Sequence, residues 1–291
     1  MIPDEAELTA GVRIEPGRRY GFFTDTTLCI GCKACEVACK EWNLLPADDL
    51  GLRGTSYDNT GDLGALTWRH VHFTEHMRDG DGGGGRATEM PPFQSHWLMM
   101  SDVCKHCSPA PCLEACPTGA IFRTEFDTVV VQQDICNGCG YCEPACPFGV
   151  VEVAKEDGKA HKCTLCYDRL KGGLEPACAK ACPTDSIQFG ELSQLHEHAH
   201  ARIASLHEKG AVAAYLYGTP EAPADASGHG EGLRELNAFF LLTAPPEIYN
   251  LPRAPSRPAG RTGPGLAAGL GIMAVLTAAA LGAFASNRKG S

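Results

Sequence analysis

The chain has 291 residues, of which 44% are hydrophobic and 21% are charged, and its formal net charge is -10. This is the balance of a globular protein long enough for one large or two ordinary domains. The acidic charge argues against a nucleic-acid partner, because phosphate binding needs a concentrated basic surface that no segment of this sequence supplies.

Sixteen cysteines dominate the sequence. In a short secreted chain they would suggest disulfides. However, residues 1–17 lack the basic start and apolar run of an export signal, so we expect any export to depend on a partner. The cysteines form four quartets in chain order: Cys29, Cys32, Cys35, Cys39; Cys104, Cys107, Cys112, Cys116; Cys136, Cys139, Cys142, Cys146; and Cys163, Cys166, Cys178, Cys182.

The first and third quartets have the C-x2-C-x2-C-x3-C spacing of ferredoxins. There, one loop supplies three thiolates to a 4Fe-4S cubane and the fourth comes from the partner motif. Structural zinc and free buried cysteines are the alternatives, but zinc sites normally use pairs of C-x2-C. We therefore predict four 4Fe-4S clusters with all sixteen cysteines as iron ligands. No nucleotide fingerprint or nucleophile elbow is present, and we predict no catalytic residue.

Between the quartets the chain alternates short strands with turns. We expect a hairpin inserted after the first quartet, with strands at 67–73 and 93–100 joined by a glycine-rich tip at 79–85. Two further hairpins are predicted, one pairing 120–123 with 128–131 and the other pairing 150–154 with 159–162. A helix is expected at 192–209, followed by an irregular segment at 218–232 and a proline-rich strap at 245–264.

The final segment, residues 262–287, carries no charge and is bracketed by Arg261 and Arg288. An apolar helix of about 20 residues spans a bilayer. The sequence therefore predicts a transmembrane helix, a single-pass C-terminal anchor in the cell membrane whose side stays open. The alternative is an alanine-rich core helix.

Several polar residues near the ligands have two possible roles. Lys33, Lys40, Lys162 and Arg169 could offset cluster charge and raise reduction potentials, or form ordinary surface salt bridges. His106, between two ligands, could fill its loop or hydrogen-bond to the ligand shell. A further group is expected to be solvated surface: His196, His198, His200 and His207.

Three strings carry a family resemblance: residues 29–43 (CIGCKACEVACKEWN), 139–148 (CGYCEPACPF) and 162–169 (KCTLCYDR). They resemble the iron-sulfur beta subunit of membrane-bound respiratory formate dehydrogenase, among the four-cluster subunits of the molybdopterin oxidoreductase (dimethyl sulfoxide reductase) family. The cysteine spacings alone also fit subunits of nitrate, tetrathionate, polysulfide or dimethyl sulfoxide reductases, and a hydrogenase is a further alternative. The string Glu41-Trp42-Asn43 and the predicted C-terminal helix favour formate dehydrogenase.

The resemblance implies an α+β fold of two ferredoxin-like 4Fe-4S modules with an inserted β-hairpin and a C-terminal transmembrane helix. The implied segments are 18–45 with 150–190 as the first module, 46–100 as the inserted hairpin, 101–149 as the second module, 191–261 as a helical and proline-rich extension, and 262–287 as the transmembrane helix. The implied ligand sets are set A (Cys29, Cys32, Cys35, Cys182), set B (Cys163, Cys166, Cys178, Cys39), set C (Cys104, Cys107, Cys112, Cys146) and set D (Cys136, Cys139, Cys142, Cys116).

The family also implies partners, because the clusters conduct electrons and need a donor and an acceptor. These are a catalytic subunit with a molybdenum or tungsten bis-pterin cofactor and a membrane cytochrome b that reduces quinone. The first module would face the catalytic subunit, and set D would lie nearest the acceptor. A redox sensor is the rival class, but one labile cluster suffices for sensing.

Overall fold

A computed structural model of the chain describes residues 13–48, 51–52, 59–75, 97–220, 233, 235–257 and 269–280. The strands are β1 (Tyr20–Asp25), β2 (Arg69–Glu75), β3 (Trp97–Val103), β4 (Ile121–Arg123), β5 (Val129–Val131), β6 (Glu152–Val153), β7 (Ala160–His161), β8 (Ile187–Glu191), β9 (Tyr215–Tyr217) and β10 (Ala238–Leu242). The helices are α1 (Ala34–Asn43), α2 (Pro111–Glu114), α3 (Cys142–Ala145), α4 (Tyr167–Lys171), α5 (Ala177–Lys180), α6 (Leu192–Glu208) and α7 (269–280), with a 3-10 turn at Pro246–Tyr249.

A four-stranded sheet in the order β8-β1-β10-β9 lies at the centre of the described chain. β1 runs antiparallel to β8 and parallel to β10, with Phe23 opposite Phe239. Since side chains alternate across a strand, the two faces of this sheet pack against different layers. Phe23 and Phe239 pack against Leu195 of α6. Phe22 instead belongs to the core that contains most of the cysteines.

The three predicted hairpins are confirmed, with somewhat different bounds. β2 pairs antiparallel with β3, β4 with β5, and β6 with β7. The glycine-rich tip at 79–85 and residues 93–96 of the predicted strand lie outside the described residues. The β2–β3 hairpin is fixed to α1, because the backbone N–H of Val71 donates to the buried carboxylate of Glu36.

The extension after β8 differs from its prediction. The expected helix is confirmed as α6, but the segment also contributes β9 and β10 to the central sheet. Every residue of β10 is buried. The run Ala238–Leu242 is five apolar residues, which is the pattern of a strand buried on both faces and could have predicted it.

The prediction of a transmembrane helix at 262–287 is wrong. No helix within the described ranges is long and apolar enough to cross a membrane. α7 covers 269–280, roughly 18 Å at 1.5 Å per residue, whereas bilayer hydrocarbon is roughly 30 Å thick. Alanine and glycine, which dominate this segment, supply little apolar surface. The single-pass C-terminal anchor is therefore corrected as well, and 262–268 and 281–287 lie outside the described residues.

Candidate metal centres

Three cavities of similar volume are each lined by four cysteines. The set A cysteines line a cavity of about 290 Å³, the set C cysteines one of about 320 Å³, and the set D cysteines one of about 290 Å³. In each case three cysteines come from one quartet and the fourth is the last cysteine of another. Similar volumes and equivalent linings indicate the same kind of occupant in all three.

The set B cysteines also lie together. Burial raises the pKa of Cys39 far above its ordinary value, and the neighbouring Cys178, Cys163 and Cys166 raise it further. Cys39 follows Cys35 by one turn of α1, so residues i and i+4 of one helix serve two neighbouring sets. α1 packs against α5, which carries Cys178.

The ligand loops share a backbone feature. The residue just before the second cysteine of each quartet has a positive φ: Gly31 (65°), His106 (42°), Gly138 (71°) and Leu165 (58°). This left-handed conformation is uncommon for residues other than glycine and occurs where function requires it. Gly31 and Gly138 were predicted to allow a close backbone approach, whereas nothing in the sequence marked His106 and Leu165 as left-handed.

The buried thiols need a positively charged occupant. Burial raises the pKa of Cys35, Cys112 and Cys166 to about 12 and that of Cys142 to about 11. Thiolates are the form that binds metal, so metal binding must supply the energy of their deprotonation. Within the described ranges no group of three or more His, Cys, Asp or Glu side chains is arranged around a single metal ion.

His106 supplies a second indication at set C. Its Nδ1 accepts a hydrogen bond from the Val129 N–H at 3.0 Å, so the ring proton of the neutral imidazole is on Nε2. Burial and then the nearby Lys162 lower the pKa of His106 well below its ordinary value. Nε2 is buried without a partner among the described residues, and His106 lines the set C cavity. A cluster sulfide is an acceptor suited to this donor, so the residues fit a 4Fe-4S group.

Exposure separates the four sets into two ends and a middle. Cys32 of set A and Cys139 of set D are exposed. All four cysteines of set B are buried, as are three of the four in set C. Sets A and D therefore lie near the surface, and sets B and C lie inside.

The four cations near the ligands have different roles. Lys33 pairs with Glu36, Lys40 pairs with Asp48, and Arg169 lies 4.3 Å from the Trp42 ring. Lys162 differs, since its Nζ is buried and lies 3.6 Å from the Sγ of Cys104. Of the two roles left open for Lys162, the structure therefore favours an effect on cluster charge.

Arg69, which the sequence did not single out, also contacts a ligand. It is 1% exposed, and its Nη2 lies 3.1 Å from the Sγ of Cys178. Burial alone would lower the pKa of Arg69, but the neighbouring Cys178, Cys35 and Cys163 raise it above its ordinary value. The available signal was an arginine followed by apolar alternation in a strand, a pattern that does not name its partner.

The prediction that the α6 histidines are solvated is wrong for two of them. His196 is half-buried and packs edge-on against Phe239 with ring centroids 4.6 Å apart. His198 is also half-buried and contacts Phe23. His200 and His207 are exposed, although His207 bonds through Nε2 to the carbonyl of Ala214 at 2.8 Å.

Residues 95–192 match the model of a family described as a 4Fe-4S dicluster domain. The chain is 42% identical over 232 residues to the formate dehydrogenase-O iron-sulfur subunit of Escherichia coli (strain K12), covering 79% of this chain and 70% of that protein. It is 38% identical over 235 residues to the nitrate-inducible formate dehydrogenase iron-sulfur subunit of the same organism, covering 79% and 71%. Identity to a subunit of the anaerobic dimethyl sulfoxide reductase of that organism is 31% over 188 residues, 65% of this chain and 80% of that protein.

These relatives are subunits of molybdopterin oxidoreductases, so this chain works beside a catalytic partner. The cysteine-lined cavities and the matched dicluster domain agree with that role. The chain belongs to the family of formate dehydrogenase iron-sulfur subunits, and it transfers electrons through four 4Fe-4S clusters.

Proposed function

We propose that sets A to D each hold one 4Fe-4S cluster, with the last cysteine of each quartet exchanged within a pair. Sets A and B exchange Cys182 and Cys39, and sets C and D exchange Cys146 and Cys116. The observation that carries this proposal is the lining of the three cavities, where the fourth cysteine comes from the exchanged quartet each time. The division into modules at 18–45 with 150–190 and at 101–149 follows from the same pairing.

The proposed order of electron transfer is A, B, C, D. The exposed ligands of sets A and D support their placement at the two ends. Cys163 of set B and Cys104 of set C are close enough to raise each other's proton affinity, which supports neighbouring positions for these sets. Cys142 of set D similarly acts on Cys112 of set C.

The chain's own residues hold and insulate this path. When bound, each cluster takes up and releases one electron at a time. The thiolates fix its position, and the left-handed loop residues bring backbone close to the cavity. The β2–β3 hairpin supplies Val71 and Ser101 to the set A cavity and keeps water from that side.

The proposed donor is a catalytic subunit with molybdenum or tungsten bis-pterin that oxidises formate, and the proposed acceptor is a membrane cytochrome b that reduces quinone. The names of the relatives at 38% and 42% identity support formate. The exposed Ile30 beside set A and Tyr141 beside set D support contact with a partner at each end. The similarity to a dimethyl sulfoxide reductase subunit keeps another molybdopterin oxidoreductase as the alternative.

The ligand sets are tested by metal analysis and electron paramagnetic resonance of the purified complex. This chain should contribute about 16 iron and about 16 acid-labile sulfide. Cys116→Ser should change the same cluster signal as Cys139→Ser, and Cys146→Ser the same signal as Cys104→Ser. If Cys116→Ser and Cys104→Ser change one signal, the exchange of ligands is refuted.

The substrate is tested on the complex that copurifies with this subunit. Mass spectrometry should identify a bis-pterin subunit, and formate should reduce a soluble dye in its presence. Reduction of the clusters by a different donor, with formate inert, would favour the alternative.

A further inference from the structure

Two buried cations connect ligands of neighbouring sets, and the first is Arg69 on β2. Its Nη2 lies 3.1 Å from the Sγ of Cys178 in set B. On the other side, Nη1 lies 3.4 Å from the Oγ of Ser101, which is 3.2 Å from the Sγ of Cys35 in set A. The guanidinium also lies 4.7 Å from the centroid of Phe22. A fixed positive charge therefore lies between sets A and B.

The second buried cation is Lys162, which precedes the first cysteine of set B. Its Nζ lies 3.6 Å from the Sγ of Cys104 in set C. The same ammonium donates to the carbonyl of Cys163 at 2.9 Å and to that of Val129. Three acceptors around one ammonium hold its charge at the junction of sets B and C.

Neither cation has a carboxylate partner among the described residues. An uncompensated buried charge is costly, so a counter-charge is expected nearby. The third buried cation of this region, Lys105, shows the contrast because Asp102 neutralises it. For Arg69 and Lys162 the groups within reach are cysteine sulfurs, which carry negative charge when they bind a cluster.

We propose that Arg69 and Lys162 are positioning charges that raise the reduction potentials of the clusters on either side of them, Arg69 for sets A and B and Lys162 for sets B and C. The inference rests on the proposed ligand sets. Reduction adds one electron to a cluster, and a fixed cation in a buried, weakly screened site stabilises that added charge. Set B lies between both cations, so its potential should depend on both.

The test is a potentiometric titration of the intact complex, followed by electron paramagnetic resonance, for Arg69→Gln and Lys162→Gln. Glutamine keeps a hydrogen-bond donor but removes the charge. Arg69→Gln should lower the potentials of the set A and set B clusters, and Lys162→Gln those of sets B and C. We expect at least about a tenfold change in each reduction equilibrium, which for one electron is about 59 mV. The set D potential should not move in either variant.

Lys180→Gln is the matched control. Lys180 lies between Cys178 and Cys182 in sequence, but its side chain is 71% exposed and pairs with Glu175. Water screens such a charge, so none of the four potentials should shift. Unmoved potentials in Arg69→Gln and Lys162→Gln, or equal shifts of all four clusters, would overturn the proposal.

Charge-conserving variants decide the case in which a glutamine variant loses a cluster. Arg69→Lys and Lys162→Arg should then retain the clusters at near-native potentials, and loss of the same cluster in these variants would show a purely steric role and refute the inference. Serine variants that group differently from sets A to D would refute the proposed function instead. Correct grouping with unmoved potentials refutes only the present inference.

Discussion

At the residue scale, His106 combines an unusual backbone conformation with a buried hydrogen bond. Replacing it with alanine leaves the buried Val129 N–H without an acceptor, which costs about 1–3 kcal/mol. It also retains the positive φ, which alanine tolerates poorly. His106→Ala should therefore lower the temperature at which the set C cluster signal is lost.

His106→Asn is the matched variant for this prediction. Asparagine offers an acceptor oxygen and adopts positive φ more readily than other non-glycine residues. The loss temperature should lie between those of wild type and His106→Ala, with the other three signals little affected. Equal loss temperatures in the alanine variant and wild type would show that this hydrogen bond contributes no stability.

Local spacing made the sixteen cysteines predictable, because three ligands of each cluster come from one short loop. It could not identify Arg69, which reaches Cys178 across 109 residues of sequence. Nor could it decide between the two roles left open for Lys162. That choice depends on burial, and burial is set by packing of distant segments.

At the element scale, Gly138 tests the left-handed ligand loops. Its φ is 71°, and an added Cβ would lie 2.0 Å from the carbonyl oxygen of Gly158. Gly138→Ala must therefore move the β6–β7 turn or the loop between Cys136 and Cys139. We expect selective loss of the set D cluster, measured as iron content and as its paramagnetic signal.

Gly210→Ala is the control for this change. Gly210 also has positive φ, 89°, but an added Cβ there would meet no atom within 4 Å. It should cost only the roughly 1–2 kcal/mol of left-handed strain and leave all four clusters in place. If Gly138→Ala retains a full set D cluster, the close approach at this loop is not required.

β10 offers a second prediction at this scale. It contains no cysteine, yet it pairs with β1 and is buried throughout. A chain ending after residue 236 should fail to assemble set A, because β1 loses its parallel neighbour and exposes Phe22 and Phe23. A chain ending after residue 257 keeps the whole sheet and should retain all four clusters, measured by iron content. Full iron content in the shorter chain would contradict this role of β10.

The hairpins could be predicted because their partners are close in sequence and their turns are marked by polar residues or glycine. β10 was missed because its partner, β1, lies more than 200 residues earlier. The transmembrane prediction failed for a different reason. A lack of charge over 262–287 was given more weight than the weak hydrophobicity of alanine and glycine, and the described helix is too short to span a bilayer.

At the scale of the whole molecule, the cysteine-lined cavities lie against one face of the central sheet and α6 covers the other. The exposed ligand of set A and that of set D mark the two ends, and the buried cations lie at the inner junctions. This arrangement accounts for a chain that binds clusters at fixed positions and needs a partner at each end.

The central claim is that electrons enter near set A and leave from set D. Its most direct test is Cys139→Ser in an intact complex, because a hydroxyl is a poor ligand for iron and set D should be lost or altered. Formate oxidation by a soluble dye that accepts upstream should survive, while quinone reduction should fall at least about tenfold. Cys32→Ser, at the opposite end, should weaken both activities. Equal loss of dye and quinone activity in Cys139→Ser would contradict the proposed direction.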